Sequence, residues 1–161
     1  MTRVMIVLSV ALALGGHAVS LAQARPDFSG TWRLNVGKSG PNVAGNTPNI
    51  PFPSQIVVKQ TPTDISVEST SVRQQPIAAV YKLDGSKVTV QTPAGITETG
   101  EAKLDGANLL INSRRSFSSP AGDVVVEFKE VWSLTGNVLT IQKTRTQSGD
   151  SSTEKAVYDK L

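Results

Sequence analysis

Apolar residues alternate with mostly polar neighbours along much of the chain: Ile56 and Val58; Ile65 and Val67; Val88 and Val90; Leu109 and Ile111; Val124, Val126 and Phe128; Leu139 and Ile141. A period of two puts such residues on one face of an extended backbone, so each run reads as a half-buried β-strand. Helical periodicity is almost missing. Ten strands are predicted, over 31–35, 55–60, 63–69, 77–83, 86–92, 96–104, 107–117, 123–134, 137–146 and 152–160. Between them, Asp84-Gly85 and Asp105-Gly106 read as two-residue hairpin loops, since Asp and Gly accept positive φ. Thr135-Gly136 reads as a third such loop, and Thr61-Pro62 joins another pair. The segments from Lys82, Lys103 and Ser133 repeat one grammar of strand end, tight turn and strand start at unequal spacing. That pattern belongs to a meander and not to a solenoid. Ten sequentially paired strands leave two bare edges unless the sheet curls up, so the expected fold is all-β, an antiparallel up-and-down meander closed or nearly closed into a barrel.

Two segments stand outside this pattern. Residues 1–24 have a cationic start at Arg3, an apolar run from Val4 to Leu14 and an Ala22-Gln23-Ala24 cleavage pattern. They read as an export signal cut after Ala24, which predicts a periplasmic or secreted protein. The apolar run falls short of the ~20 residues that span a bilayer, and Gly15, Gly16 and His17 interrupt it. Residues 25–161 are then one domain, without an integral membrane segment. Within it, residues 36–53 carry Gly37, Gly40, Pro41, Gly45, Pro48, Pro51 and Pro53 and read as one long loop. It is expected to lie over a barrel end as a connector, with a functional lid as the other reading.

Composition narrows the chemistry. The chain has no Cys, and its single His and two Met (His17, Met1, Met5) all fall in the leader. Residues 25–161 therefore lack imidazole and thiolate, the groups on which most nucleophilic catalysis and transition-metal binding run. There is no G-x-S-x-G elbow and no EF-hand pattern, so no catalytic residue, metal or cofactor is expected. Glu98 and Glu130 are the only inward carboxylate pair that could serve a glycosidase, and a narrow barrel leaves little room for a polymer. The formal charge of +3 comes from 16 basic and 13 acidic residues scattered along the chain, a mixed surface and not a nucleic-acid stripe. A non-enzymatic protein is expected.

The alternation nominates a candidate site. If the apolar members of each strand point inward, the same face also carries Glu98, Arg115, Glu130, Lys143 and Arg145. With Asp105-Gly106 and Thr135-Gly136 as loops, Ile96 falls opposite Arg115 with Glu98 diagonal to it, and Val126 falls opposite Arg145. An inward Arg beside a carboxylate could hold an anionic or polar head group while Phe128, Val126 and Tyr158 line the apolar part. The competing arrangement puts these charges at the barrel rims or flips them outward at a bulge. Ser116, Ser118, Ser119, Pro120 and Gly122 set Arg115 near a strand end, and Gln147, Ser148 and Gly149 do the same for Arg145. The rim is the expected placement, because charges are seldom buried unpaired. Trp32 and Trp132 sit in apolar alternation and are expected in the core.

Phe28-Ser29-Gly30-Thr31-Trp32-Arg33-Leu34 resembles the opening strand of the calycin barrels, the lipocalins and the intracellular fatty-acid-binding proteins, in which a G-x-W tryptophan closes the barrel floor. Lys155-Ala156-Val157-Tyr158-Asp159-Lys160 is similar to the last strand of the fatty-acid-binding group. The resemblance implies a lipocalin-like barrel over residues 25–161 that holds a small molecule. In the fatty-acid-binding group an Arg and a Tyr two residues apart meet the carboxylate; Tyr158 matches that Tyr, but Ala156 stands at the Arg position. The helix pair that lids that group would fall in 36–53, which is too rich in Pro and Gly to form it. The disulfide common in lipocalins has no Cys to form it. The fold carries over and the fatty-acid specificity does not.

Two functions from different classes follow. One is a binding protein that holds a small hydrophobic or amphipathic ligand, with a cavity of at least about 300 Å³. The other is a filled barrel that docks a protein partner, for example as an inhibitor of a secreted enzyme, through an exposed strand edge or through residues 36–53, where Ile50-Pro51-Phe52-Pro53 is apolar and stiff.

Overall fold

A computed structural model describes residues 25–43, 50–71, 74–91, 96–120 and 122–161. The leader with its cleavage point, and residues 44–49 of the long loop, lie outside the described residues. Ten antiparallel strands form one sheet: β1 (Gly30–Leu34), β2 (Gln55–Gln60), β3 (Asp64–Ser71), β4 (Gln74–Lys82), β5 (Val88–Gln91), β6 (Thr97–Asp105), β7 (Asn108–Ser119), β8 (Gly122–Thr135), β9 (Val138–Gln147) and β10 (Asp150–Lys160). The spatial order is β4-β3-β2-β1-β10-β9-β8-β7-β6-β5. Every sequential pair is therefore a neighbour except β4 and β5, and the two ends of the chain close on each other through β1 and β10. The all-β meander is as the alternation predicts, and its fold is that of a calycin-type barrel, nearly closed.

The seam lies between β4 and β5, the two edges of the sheet. Asp84-Gly85 is thus not a hairpin loop, in contrast to the sequence reading, because β5 pairs only with β6. The Gly85 N–H crosses the seam instead and donates to the Ala102 carbonyl (3.0 Å), while Asp84 bridges to Lys103. Tyr81 from β4 packs against Gly100 of β6, filling the remaining gap with an aromatic ring. A seam closed by a side chain protects the two edges without a backbone ladder.

Two hairpin registers also differ from those read off the sequence. In β6–β7, Asp105 pairs with Asn108, so the loop is Gly106-Ala107; in β8–β9, Thr135 pairs with Val138, so the loop is Gly136-Asn137. Gly106 and Gly136 both have φ of 58°, and their successors are not at positive φ. Glycine in the first loop position with an ordinary second residue is the type II′ arrangement, whereas the Asp-Gly reading put Gly second. The register moves by two residues, which keeps every side chain on its face but changes its partner.

The floor of the barrel is built from the first strand. Trp32 is buried, and its indole N–H donates to the Phe28 carbonyl (3.0 Å). Phe28 meets Trp132 edge-on, with ring centroids 6.3 Å apart at 72°, a favoured aromatic geometry. Gln60 holds the entering chain, accepting from the Phe28 N–H and donating to the Pro26 carbonyl. Lys160 stretches over the outside of Trp32, its Nζ 5.2 Å from the ring centroid. The core runs from this floor through Ile56, Val58, Ile65, Leu109, Ile111, Leu139, Ile141 and Ala156.

The long loop is less irregular than its composition predicts. Val36–Lys38 forms a single 3₁₀ turn, N-capped by Asn35, whose side chain accepts from the Lys38 N–H. Ile50 is fully buried, and the chain then runs through Pro51, Phe52 and Pro53 across the mouth of the barrel into β2.

Candidate functional site

A cavity of about 160 Å³ lies in the barrel between the aromatic floor and the mouth. Its apolar lower wall includes Ile56, Val90, Ile111, Trp132 and Ile141, and Pro51, Phe52 and Pro53 cover it. It is about half the 300 Å³ expected of a carrier, because Trp132, Tyr81, Phe128 and the Phe52 segment all contribute bulk to the interior.

Across the upper half runs a belt of charge. The corrected register sets Glu98 directly opposite Arg115, and the guanidinium donates to one carboxylate oxygen, Oε2, from Nε at 3.1 Å and from an Nη at 2.6 Å. On the neighbouring strands Glu130 stands opposite Lys143, and their charged atoms meet at 2.8 Å. The other oxygen of Glu130 accepts from the Trp132 indole N–H at 2.7 Å. Phe128 lies between the two cations, with Lys143 Nζ 4.9 Å and the Arg115 guanidinium 5.9 Å from its ring centroid. The side chains of Glu98, Glu130 and Lys143 are 12%, 17% and 17% exposed and that of Arg115 32%, so the pairs sit inside the mouth, with Arg115 nearest water. Charges at such depth are tolerated because each has an ion-pair partner, and Glu130 also accepts from the Trp132 indole.

Of the residues nominated from sequence, Glu98, Arg115, Phe128, Glu130 and Lys143 line this cavity together. Arg145 does not line it; it lies further along β9 and donates to Gln147 near the strand end, so the expected rim placement applies to Arg145 alone. Tyr158 is buried outside the cavity lining, and its hydroxyl donates to the Pro53 carbonyl (2.9 Å), tying the mouth segment to β10. Val126 is buried but does not border the cavity. The Trp132 side chain is both core, as expected, and cavity wall.

Sequence reasoning passed over Tyr81 and read Phe52 as part of a partner-docking segment, whereas both border the cavity. Tyr81 closes the seam and faces the cavity; burial, then the negative charges of Glu130 and Glu98, push its hydroxyl well above the ordinary tyrosine range. Burial and then Glu130 do the same to Tyr158. Both phenols stay protonated and available as donors across ordinary pH. Phe52 caps the cavity, with Lys143 Nζ 5.9 Å from its ring centroid. The alternation Ile77, Ala79, Tyr81 carried the signal for the first; Phe52 lay in a segment with no periodicity to place it.

A second depression, of about 580 Å³, lies outside the barrel across β6 to β9 and includes Glu101, Arg114, Glu127 and Lys129. It is open to water, and its Arg114–Glu127 pair is loose (3.9 Å) with both side chains more than 60% exposed. Such a surface holds a small molecule weakly. Among the described residues, no cluster of potential ligands could hold a metal ion.

No family model matches the chain, and no curated protein matches its sequence. Solved structures do match its fold. A secretory abundant heat soluble protein from Ramazzottius varieornatus is 15% identical with a TM-score of 0.59, the match covering 86% of this chain and 98% of the other. Zebrafish ileal bile acid-binding protein complexed with cholic acid is 13% identical with a TM-score of 0.58, covering 83% and 98%. Fatty-acid-binding protein 1 from Echinococcus granulosus is 18% identical with a TM-score of 0.52, covering 83% and 97%.

Proposed function

We propose that this chain is a non-enzymatic binding protein, exported to the periplasm or beyond, whose barrel holds a small hydrophobic or amphipathic molecule. The observation that carries this reading is the division of the cavity: apolar walls below, a belt of ion-paired side chains above, and an apolar segment across the opening. An amphipath lies naturally in such a gradient, its chain against Ile111, Trp132 and Ile141 and its head at the charges. The fold is shared with proteins whose names specify bile-acid and fatty-acid binding, and this supports the reading by analogy only. Export is supported by the three-part leader in residues 1–24. The absence of His and Cys from residues 25–161 supports binding over catalysis.

Size sets the ligand. An engineered protein cavity of about 150 Å³ accepts benzene, so a space of about 160 Å³ accommodates a six-carbon ring or a short alkyl chain. Anything longer must displace Phe52 and its neighbours from the mouth. The interaction-protein reading, through residues 36–53 or an exposed strand edge, draws less support from this arrangement: Ile50 is buried, Pro51, Phe52 and Pro53 border the cavity, and the Pro53 carbonyl accepts from Tyr158.

Native mass spectrometry of the protein isolated from its cells, before and after extraction with organic solvent, tests the proposal. Added mass that disappears on extraction, and returns with a small amphipath, is the expected result. A bare mass throughout, with no uptake from a cell lipid extract or a panel of short-chain amphipaths, would overturn it.

A further inference from the structure

We infer that the cavity selects an amphipath with an uncharged, hydrogen-bonding head, such as an alcohol, over a carboxylate of the same chain length. The inference rests on the binding reading above and adds the chemical class of the head group. Its basis is charge balance within the belt. Two carboxylates, Glu98 and Glu130, face two cations, Arg115 and Lys143, at 2.6 and 2.8 Å. Each cation already has its counter-ion, so the belt that meets the ligand is neutral as a whole.

An incoming carboxylate has two routes, and both leave a charge uncompensated. It can lie beside the intact pairs, adding one negative charge to a neutral, largely desolvated belt. Alternatively it can take Arg115 or Lys143 from its glutamate, stranding that glutamate at 12% or 17% side-chain exposure. A partly buried charge without a partner is costly on either route. An alcohol meets no such barrier. Arg115 directs both of its hydrogen bonds to Oε2 of Glu98, which leaves Oε1 to accept from a ligand hydroxyl. The Tyr81 phenol, on the cavity wall, offers a donor to the ligand oxygen. Tyr158 is committed to Pro53, Ala156 carries no charge, and neither Lys155 nor Lys160 borders the cavity, so β10 supplies it no additional cation. Arg145 is the remaining cation of this strand face, and it lies outside the cavity with Gln147.

The test titrates the full chain with 1-hexanol and with hexanoate, following the indole N–H resonance of Trp132 by NMR, since that group hydrogen-bonds Glu130 on the cavity wall. The expected result is alcohol binding at least about tenfold tighter than carboxylate binding. E130Q and E98Q each remove one carboxylate charge while keeping an amide oxygen as acceptor, for the Trp132 indole and for Arg115 respectively. Each frees a cation and should reverse the preference, raising hexanoate affinity by about tenfold or more. R145A should leave both affinities unchanged. Hexanoate binding as tightly as hexanol in the unaltered protein would overturn the inference while leaving the binding reading intact. Loss of that hexanoate binding in R145A would place the head group at the rim instead. Failure of both molecules to shift Trp132, or any other cavity resonance, would overturn the binding reading itself and this inference with it.

Discussion

The ring of Tyr81 on β4 packs so closely on Gly100 of β6 that a Cβ added at Gly100 would stand 2.6 Å from Cε1 of the tyrosine. No backbone ladder joins β4 to β5, so this contact is a principal closure of the barrel at its open seam. Gly100 is not at a left-handed φ, and its glycine is required by the approach of the ring and not by its backbone. Gly100→Ala should therefore cost about 1–3 kcal/mol through overpacking. Urea denaturation checks this, and an unchanged midpoint would show that the seam yields without cost.

Glu130 serves two partners at once, Lys143 and the Trp132 indole. Glu130→Ala leaves a cation and an indole N–H unmatched at low exposure, and stability should fall by about 3 kcal/mol. In the double variant Glu130→Ala with Lys143→Met, the stranded charge is gone, and a substantial part of the loss should return. Thermal melts of the two single variants and the double one measure this coupling. Strict additivity would mean that Lys143 turns out to water when its partner is removed.

Tyr81 and Tyr158 are the only tyrosines of the chain, and burial raises the pKa of both above the ordinary value of 10.0. Above pH 10 the unfolded chain loses phenolic protons that the folded chain retains. Their contribution to stability is thus complete below about pH 10 and declines as pH rises beyond it. Alkaline titration should show phenolate absorbance rising together with the loss of β-sheet circular dichroism. Phenolate appearing near pH 10 in a protein that is still folded would contradict the burial of these hydroxyls.

Ser148 has φ of 53° and Gly149 of 88°, in the two-residue loop between Gln147 and Asp150. Positive φ at both loop positions is the type I′ turn, which prefers Asn before Gly. Ser148→Asn should raise stability by about 0.5–1 kcal/mol, read as a higher thermal midpoint. A lower midpoint would argue against this turn geometry.

The strands were legible because alternation over a half-buried sheet is a local property: the run at 107–117 appears as Asn108–Ser119, and that at 55–60 as Gln55–Gln60. The inward face was legible for the same reason, and it carried Glu98, Arg115, Glu130 and Lys143 to one place. Their partners were not, because partners depend on register, and register turned on whether Gly106 and Gly136 took the first or the second loop position. Depth also escaped the sequence, since parity gives a face but not how far inside the mouth a residue sits. Glu130 is held inside by Lys143 and by Trp132, the latter two residues along its own strand. Phe52 could be placed only within a loop over a barrel end and not as a cavity wall, because a Pro-flanked segment has no period to give its side chain a face.

The space bordered by Phe128, Trp132 and Tyr81 is where a ligand is expected to reside. A crystal of the protein soaked with 4-bromo-1-butanol, an alcohol of six heavy atoms, tests it most directly through the anomalous signal of bromine. One peak is expected inside the barrel, beside Ile111, Trp132 and Ile141, with the hydroxyl toward Glu98 and Tyr81. Bromine only in the outer depression between Arg114 and Lys129, or no site in the barrel at saturating alcohol, would contradict it.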